Sequence, residues 1–435
     1  MSYPDPREVV TRKALIVWGT AVLAYIIAIL GRTSFGVAGV EAIDRFGVDA
    51  SRIAVFTAVQ VGVYAFCQIP MGLGIDRFGP RRMLVAGALV MAIGQVILGF
   101  TTNYWVAIFA RILIGGGDAS AFLSVMRILP YWFPIKKTPL FTQFSASLGQ
   151  FGQFLSAVPF LWLLNAQGWT IAFTSLGAIG VLLCIAIWVA VEDAPEGASA
   201  TKTERVSLGY SLKTVFTSAT CWQAFFIHYM SMLSGILFAL LWGLPLMTLG
   251  MGLSTSTAGM VLMIFSLVTM CAGPVMGWVS TRAGSTRDTV AIILAIFHFI
   301  VWAIFFSSEE PRGLVAVIMV NVVMAFLTLS SNYGFDQVRE RLPKSVVATG
   351  TGMGNMGAFL AAMVASQVVG LLLDHSSHGN AFTWADFRYA WVAVFIIWAI
   401  GIIGAIVSGR MIARSAKKAE HHVVIVDEQA PTNDD

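Results

Sequence analysis

The chain of 435 residues is 57% hydrophobic and only 11% charged, with a formal net charge of +4. Because soluble domains carry roughly 25% charged residues, this composition excludes an ordinary soluble protein. The sequence contains no His-Glu-x-x-His, no Gly-x-Ser-x-Gly and no nucleotide-binding glycine loop, and its four cysteines stand at no metal-ligand spacing. We therefore predict that the protein is not an enzyme and has neither a cofactor nor a metal.

Apolar segments recur along the chain at the length of about 20 residues that crosses a bilayer. The first is too long for a cleavable signal and lacks a small-residue cleavage pattern, so we expect it to remain as a span. The sequence thus predicts an all-α integral membrane protein with twelve transmembrane helices. They cover about residues 14–40, 53–75, 83–101, 104–131, 138–163, 169–191, 217–248, 256–280, 289–307, 313–335, 345–373 and 389–410.

The basic residues predict the orientation, since cytoplasmic loops carry the excess of Lys and Arg. Twenty of the 27 fall on the side of the two termini. Four fall on the opposite side: Arg45, Arg52, Arg312 and Arg388. We therefore predict a multi-pass protein of the inner (plasma) membrane with both termini in the cytoplasm. The net charge reflects this bias, and we expect no nucleic-acid partner.

A polar stretch from Glu192 to Lys213, with mixed charges, Pro195 and Gly197, predicts a solvated linker between six spans and six. The predicted domains are a cytoplasmic N-terminus (1–13), a first six-helix bundle (14–191), a cytoplasmic linker (192–216), a second six-helix bundle (217–410) and a cytoplasmic tail (411–435).

Four charged residues lie well inside apolar stretches: Arg32, Arg111, Asp118 and Arg127. A charge at this depth costs at least ~2.5–3.5 kcal/mol, so such residues usually face a polar cavity on the path of a substrate or ion. Arg32 has small or hydroxylated neighbours, as a wet cavity wall requires, and its guanidinium fork matches a carboxylate or phosphate. We predict that Arg32 binds an anion; pairing with helix-end carbonyls is the alternative.

Arg111 and Asp118 stand seven residues apart on the fourth span, hence about 20° apart around the helix and about 10 Å along it. A substrate that competes for the arginine would alter the protonation of the carboxylate, so the pair predicts a proton-coupling device with Arg111 also in the substrate site. A structural ion pair is the alternative. Arg127 points away from this face, and we expect it to anchor at the inner headgroups.

Other polar residues at membrane depth are weaker candidates for the substrate site. Tyr64 and Gln60 stand four residues apart on the second span. His228, on the seventh span, has the side chain best suited to titrate near neutral pH, although packing is its alternative role. Asn332 could offer donors from the second half, whereas we expect His298 to pack at the periphery.

One turn occurs twice, 205 residues apart, and both copies fit Gly-x-x-x-(Asp/Thr)-Arg-x-Gly-x-x-Arg. The first copy contains Gly72, Asp76, Arg77, Gly79, Arg81 and Arg82, and the second contains Gly277, Thr281, Arg282, Gly284 and Arg287. Glycine permits a sharp backbone path, and the basic residues anchor a cytoplasmic loop. The repetition predicts duplicated six-helix units.

Together with twelve spans and a central linker, the first copy resembles the signature loop of the major facilitator superfamily over about residues 14–410. The resemblance implies two six-helix bundles with pseudo-two-fold symmetry, one midplane site and alternating access. It also implies that Asp76 helps to latch the halves, so that the first copy forms a cytoplasmic gate, while Thr281 makes the second latch weaker or absent. Fixing topology is the alternative role for the arginines.

Arg32 is similar to the substrate-binding arginine of organophosphate and organic-anion permeases. The string from Arg111 to Asp118 resembles the organic anion:cation symporters, in which a Glu takes the place of Asp118. The leading prediction is therefore a proton-coupled secondary transporter of a small organic anion, a carboxylate or phosphorylated metabolite, acting as a monomer in the lipid bilayer.

Three alternatives remain open: a proton-driven drug efflux antiporter, a nitrate or nitrite exchanger, and a non-transporting membrane receptor. The fifth span lacks the Gly-x-x-x-Gly-Pro-x-x-Gly-Gly string of the drug antiporters. The fifth and eleventh spans lack paired glycine-rich nitrate signatures, and the tail of about 25 residues is short for a signalling receptor.

Overall fold

The computed structural model describes residues 8–48, 50–195, 206–378 and 380–428, with the backbone alone at 40, 50, 51, 53, 54, 240 and 416–428. Within these residues every regular element is helical. The first half contains α1 (Arg12–Val37), α2 (Gly39–Phe46), α3 (Ala50–Phe78), α4 (Pro80–Phe100), α5 (Tyr104–Trp132), α6 (Thr138–Gly149), α7 (Phe151–Leu155) and α8 (Leu161–Ala190). The second contains α9 (Leu208–Thr217), α10 (Ala219–Leu237), α11 (Gly243–Pro245), α12 (Thr255–Ala283), α13 (Arg287–Phe306), α14 (Leu314–Thr328), α15 (Tyr333–Arg341), α16 (Val347–Ser377) and α17 (Trp384–Glu428).

Nine helical segments of the described chain are long and apolar enough to cross a membrane. Two of them, Thr138–Ala190 and Thr255–Phe306, have 53 and 52 residues, enough for two crossings each. The first reverses at Gly168, whose φ of 77° suits glycine. Ala219–Gly250, broken by π-helical turns, supplies one more. The path therefore agrees with the predicted twelve crossings.

Buried apolar residues form two large cores, one for each half. The first consists of residues between 14 and 191 together with Phe335 and Ala348. The second consists of residues between 227 and 405 together with Ala146. Two separate cores are what a duplicated bundle requires, because each six-helix unit must bury its own apolar faces. The domain boundaries themselves stay a prediction.

The halves meet where α3 packs along α16 and α6 packs along α12. Glycines allow the close approach at both contacts. A Cβ on Gly72 would lie 2.6 Å from the Ala348 carbonyl oxygen, and one on Gly273 would lie 1.9 Å from Ser147 Oγ. Side chains at these positions would therefore push the halves apart.

Three local details differ from the expectations. The predicted linker contains α9, which Ser207 caps by accepting from the Tyr210 amide. The tenth crossing continues through a 3₁₀ turn into α15 and ends at Arg341 rather than near residue 335. The expectation that His298 lies at the periphery is wrong, because it is 1% exposed and packs edge-on against Trp398.

Candidate functional site

A cavity of about 110 Å³ lies between the two halves. Its wall includes residues of α1, α3, α5, α6 and α7 from the first half and of α10, α12, α14 and α16 from the second. Among the described residues that line it, Arg32 alone carries a formal charge. The cavity is thus a mostly neutral chamber with one guanidinium in its wall.

Arg32 forms a two-pronged ion pair with Asp118. Its Nε and Nη2 donate to the two carboxylate oxygens at 2.6 and 3.0 Å. The Arg32 side chain is 14% exposed, whereas that of Asp118 is fully buried. The guanidinium also lies over the Tyr64 ring, 4.3 Å from its centroid. Asp118 therefore orients Arg32 from behind, and Arg32 presents its free edge to the cavity.

Arg111 and Asp118 share no hydrogen bond, because Arg32 from α1 occupies both oxygens of Asp118, although the charge of Asp118 still acts on Arg111. Arg111 is 1% exposed and does not belong to the cavity wall. Its Nη2 lies 3.4 Å from the Arg32 carbonyl oxygen, and its guanidinium lies over Phe35. The spacing along α5 correctly placed Arg111 and Asp118 on one face, but Asp118 pairs with Arg32 on the neighbouring helix α1.

Tyr64, His228 and Asn332 all line the cavity, as the sequence predicted for a shared site. His228 Nδ1 lies 3.4 Å from the Ser331 carbonyl oxygen. Asn332 donates to Gln143 Oε1 at 2.9 Å and so links the second half to the first. The predicted partner of Tyr64, Gln60, is buried outside the wall.

Sequence reasoning missed Asn355 of α16. Its Nδ2 donates to Tyr64 Oη at 3.0 Å and to Gln68 Oε1 at 2.8 Å, across the interface between the halves. It also lines the cavity. The sequence does contain a signal for Asn355, because its amide stands within the glycine-rich run 350–357. A polar side chain at membrane depth needs a hydrogen-bond partner.

Asp76 joins the two halves at the predicted cytoplasmic end. It accepts from the Ala348 amide at 3.0 Å, the Thr349 amide at 2.8 Å and Thr349 Oγ1 at 2.7 Å. These donors belong to the first turn of α16, where the helix dipole favours a carboxylate. Arg127 Nε lies 3.4 Å away in the same half. Gly72 lies at the same contact, one turn earlier on α3.

The expectation that Arg127 anchors at the headgroups is wrong. Its side chain is 8% exposed, pairs with Asp76 and lies over the Tyr131 ring at 4.2 Å. The last turn of α3 brings the Asp76 carboxylate to it, and burial of both groups favours pairing over a reach toward lipid.

The contacts of Gly79, Arg77 and Arg81 of the predicted gate lie within the first half or at Asp193, which directly follows it. Gly79 has a φ of 86° and starts α4. The Arg81 amide donates to Asp193 at 2.8 Å, and the Arg81 guanidinium lies over Trp188. Arg77 lies over Phe78, and Arg82 makes no hydrogen bond or ion pair within the described chain. Of the six, Gly72 and Asp76 are thus the two whose contacts with described residues of the other half are seen in this conformation.

The second copy of the turn uses a different carboxylate. Thr281 donates to Gly277 of its own helix at 2.9 Å. Asp336 of α15 instead accepts from Ser280 Oγ at 2.6 Å, pairs with Arg339, and lies 3.5 Å from Thr142 Oγ1 of the first half. A carboxylate thus sits at the symmetry-related contact but comes from another helix.

Known proteins support this architecture. The sequence profile described as Major Facilitator Superfamily matches residues 21–366. The chain belongs to the major facilitator superfamily. Membership agrees with the predicted multi-pass membrane protein of a transporter superfamily, which is not a family of enzymes.

Individual members of the superfamily are about a quarter identical to this chain over the aligned residues. The Probable sulfoacetate transporter SauU of Cupriavidus necator is 26% identical over 215 residues, which are 48% of this chain and 50% of that protein. The Probable L-galactonate transporter of Escherichia coli is 25% identical over 228 residues, 50% of this chain and 49% of that protein. The chain thus spans about half of the length of these relatives. The structure of FucP in its outward conformation shares the fold, with a TM-score of 0.68 at 12% identity over 91% of this chain and 99% of that one.

Proposed function

We propose that the protein is a proton-coupled secondary transporter of a small organic anion, a carboxylate or phosphorylated metabolite. The observation that carries the proposal is that Arg32 supplies the only charge in the described wall of the central cavity. An anion gains a paired, hydrogen-bonded cation there, whereas a cationic drug meets a like charge. The two relatives are named for sulfoacetate and L-galactonate, both organic anions.

Substrate binding begins at the exposed edge of Arg32. The guanidinium has five N–H donors, of which two are engaged by Asp118. An incoming carboxylate can take the remaining donors or replace Asp118 on the fork. The Asn355 and Asn332 amides and the His228 ring complete the wall from the second half, so the anion contacts both bundles.

Asp118 couples binding to a proton in this proposal. While Arg32 holds it, the buried carboxylate is neutralised. When a substrate anion draws Arg32 away, Asp118 is left charged at membrane depth, which is strongly unfavourable unless it binds a proton. The Arg32–Asp118 pair then accommodates one anion with one proton and keeps the site's charge constant.

The contacts between the halves support alternating access as the proposed mechanism. Asp76 and Gly72 hold α3 against α16 at the predicted cytoplasmic end, so this conformation has that end closed. Rocking must break these bonds to admit or release the anion there. We place the protein in the inner membrane with both termini in the cytoplasm, working as a monomer.

Uptake into proteoliposomes tests the proposal. Labelled carboxylates and phosphate esters should accumulate in response to an imposed pH gradient, and a protonophore should abolish accumulation. Unlabelled anions should compete, whereas lipophilic cationic drugs and nitrate should not. Gradient-driven efflux of such a drug with no anion flux would support the antiporter instead, and an absence of any flux with ligand binding intact would favour the receptor.

A further inference from the structure

Gln95 is a buried amide inside α4 that the proposed site does not use. It is 2% exposed and does not belong to the wall of the central cavity. Its Nε2 donates to the Gly31 carbonyl oxygen of α1 at 3.2 Å, and its Oε1 has no hydrogen-bond partner among the described residues. Polar side chains inside a membrane span are unfavourable and usually serve a function. The bond to Gly31 is the contact through which Gln95 can act.

The absence of a side chain at Gly31 lets the amide reach α1. A Cβ at this position would lie 2.8 Å from Gln95 Nε2 and 3.1 Å from Met91 Cε. Any other residue at position 31 would therefore push the amide off the carbonyl oxygen. Gly31 and Gln95 thus form a matched pair that ties α4 to the backbone of α1 directly before Arg32.

Apolar packing supports this side of α1 only loosely. A second cavity, of about 30 Å³, lies between α1, α4, α5 and α8. On α1 its wall consists of Ala24, Ile27, Ala28 and Gly31, three of which have at most a methyl group. Because an unfilled space has no atoms on one side, its lining loses dispersion contacts. The hydrogen bond from Gln95 is therefore a fixed point where packing leaves slack.

Arg32 is held from α5 as well. Asp118 accepts from its Nε and Nη2 at 2.6 and 3.0 Å, and Arg111 Nη2 lies 3.4 Å from its carbonyl oxygen. A two-pronged pair tolerates little misalignment, because hydrogen bonds weaken steeply as their angles depart from linearity. A rotation of α1 about its axis would carry the guanidinium away from both carboxylate oxygens. The bond from Gln95 opposes such a rotation from a second helix.

We propose that Gln95 is a positioning residue for Arg32. By holding the Gly31 carbonyl, it fixes the rotation of α1 and so aims the guanidinium at Asp118 and at the central cavity. The inference rests on the proposed role of Arg32 in binding the anion. When a ligand draws the guanidinium away from Asp118, α1 loses its bond to that carboxylate but keeps its bond to Gln95. The guanidinium therefore returns to the same place once the ligand leaves.

The coupling between Arg32 and Asp118, measured without any ligand, tests the proposal. Thermal unfolding midpoints of Arg32→Gln, Asp118→Asn and the double variant, purified in detergent, give the non-additive part of the two shifts. In a Gln95→Leu background this non-additive part should fall to about half or less, because the guanidinium is no longer aimed. A bond that merely stabilised the contact of α1 with α4 would lower all the midpoints alike and leave the non-additive part unchanged.

Gly31→Ala is the second variant, which leaves Gln95 in place and displaces its amide with a methyl group. It should reduce the coupling of Arg32 with Asp118 as Gln95→Leu does, and combining the two should reduce it no further, since both remove the same bond. Gly19→Ala is its matched control on α1, because a Cβ there would have nothing within 4 Å. Its coupling should equal that of the wild type.

Gln223→Leu is the matched control for the loss of a buried amide. Gln223 of α10 is fully buried, its Nε2 donates to Asp288 Oδ2 at 3.1 Å, and its Oε1 has no partner among the described residues. Its replacement should lower the unfolding midpoint and leave the coupling of Arg32 with Asp118 unchanged.

Unchanged coupling in Gln95→Leu or in Gly31→Ala would overturn the proposal. An equal loss of coupling in Gln223→Leu or in Gly19→Ala would overturn it too, because the effect would then be a general loosening of the fold. The measurement involves no ligand and no transport. Its failure therefore removes only the role of Gln95, whereas an absence of anion flux in the uptake test removes the proposed function.

Discussion

Asp118 and Asp76 are both buried carboxylates of the first half, but their partners lie on opposite sides of the moving interface. Asp118 pairs with Arg32 inside its own half, at the wall of the cavity. Asp76 accepts from the first turn of α16 in the other half. In the proposed mechanism, rocking breaks the bonds of Asp76 and leaves the Asp118 pair intact, whereas a ligand at Arg32 disturbs the Asp118 pair and leaves the bonds of Asp76 intact.

We expect substitutions at these two sites to change different measured properties. Variants at the central pair should change ligand affinity and coupling, while variants at the end contact should change the balance between conformations. A substitution at one site that changed the property expected of the other site would contradict this distinction.

Arg32→Gln should have the largest effect. Loss of the forked, charge-assisted contact should weaken anion binding by about 100-fold or more, measured by uptake and by counterflow. Arg32→Lys, which keeps the charge without the fork, should retain part of the affinity. Because Asp118 would be left unpaired, the Arg32→Gln, Asp118→Asn double variant serves as the folded reference.

Arg414→Gln is the control for the loss of one arginine, since Arg414 is exposed on α17 beyond the bundle. Its uptake should match that of the wild type. Wild-type affinity in the double variant would show that the anion binds elsewhere.

Asp118→Asn should have the next largest effect. The amide still fills the space behind Arg32 but carries no exchangeable charge, so gradient-driven accumulation should fall to the equilibrium level while anion exchange continues. Parallel measurement of accumulation and counterflow in the same vesicles separates these outcomes. Accumulation at the wild-type level would remove Asp118 from the coupling mechanism.

Asp76→Asn should have an intermediate effect, limited to the balance between the closed and open conformations. Replacing charged by neutral acceptors costs about 1–2 kcal/mol, so opening at this end should become about tenfold more frequent. Alkylation of Met126→Cys, which lies beside Arg339 of the other half, reports this opening in a background without the native cysteines. Anion affinity measured at equilibrium should change far less than the alkylation rate.

Thr349→Ala removes one of the three bonds to Asp76 and should raise the same alkylation rate by a smaller factor. If affinity changed and alkylation did not, Asp76 would belong functionally to the central site.

Thr281→Ala should have the smallest effect. Thr281 occupies the acid's position in the second copy of the turn, yet its hydroxyl bonds to its own helix. Transport, alkylation and thermal stability should all match the wild type, with Thr349→Ala as the positive control. A clear loss would mean that this threonine latches the halves in a conformation other than the one described.

Short-range patterns predicted much of the fold and part of the site. Composition predicted the membrane class, and apolar run lengths predicted the crossings. The contact of Asp76 was expected from the resemblance of the first turn to the signature loop of the major facilitator superfamily, whereas the duplication itself predicted two repeated units. Arg32 was predicted at the cavity since an isolated cation at membrane depth has few other places to go.

Pairings between distant residues could not be predicted. Arg32 and Asp118 are 86 positions apart, and helical spacing pointed to Arg111 as the partner instead. Arg127 was assigned to the headgroups because nothing nearby in sequence showed that α3 would bring Asp76 to it. Likewise, the second turn has Thr281 where the first has an acid, and the carboxylate beside it comes from Asp336 on a different helix.

Hydropathy, spacing and a repeated motif determined that this chain spans a membrane as two duplicated bundles with cations in its interior, because these properties depend on residues close together in sequence. Which carboxylate meets which guanidinium, and which of them face the cavity, was decided by the packing of helices against one another. A buried charge pairs with whatever partner the tertiary fold brings within reach, and sequence separation does not enter that energy.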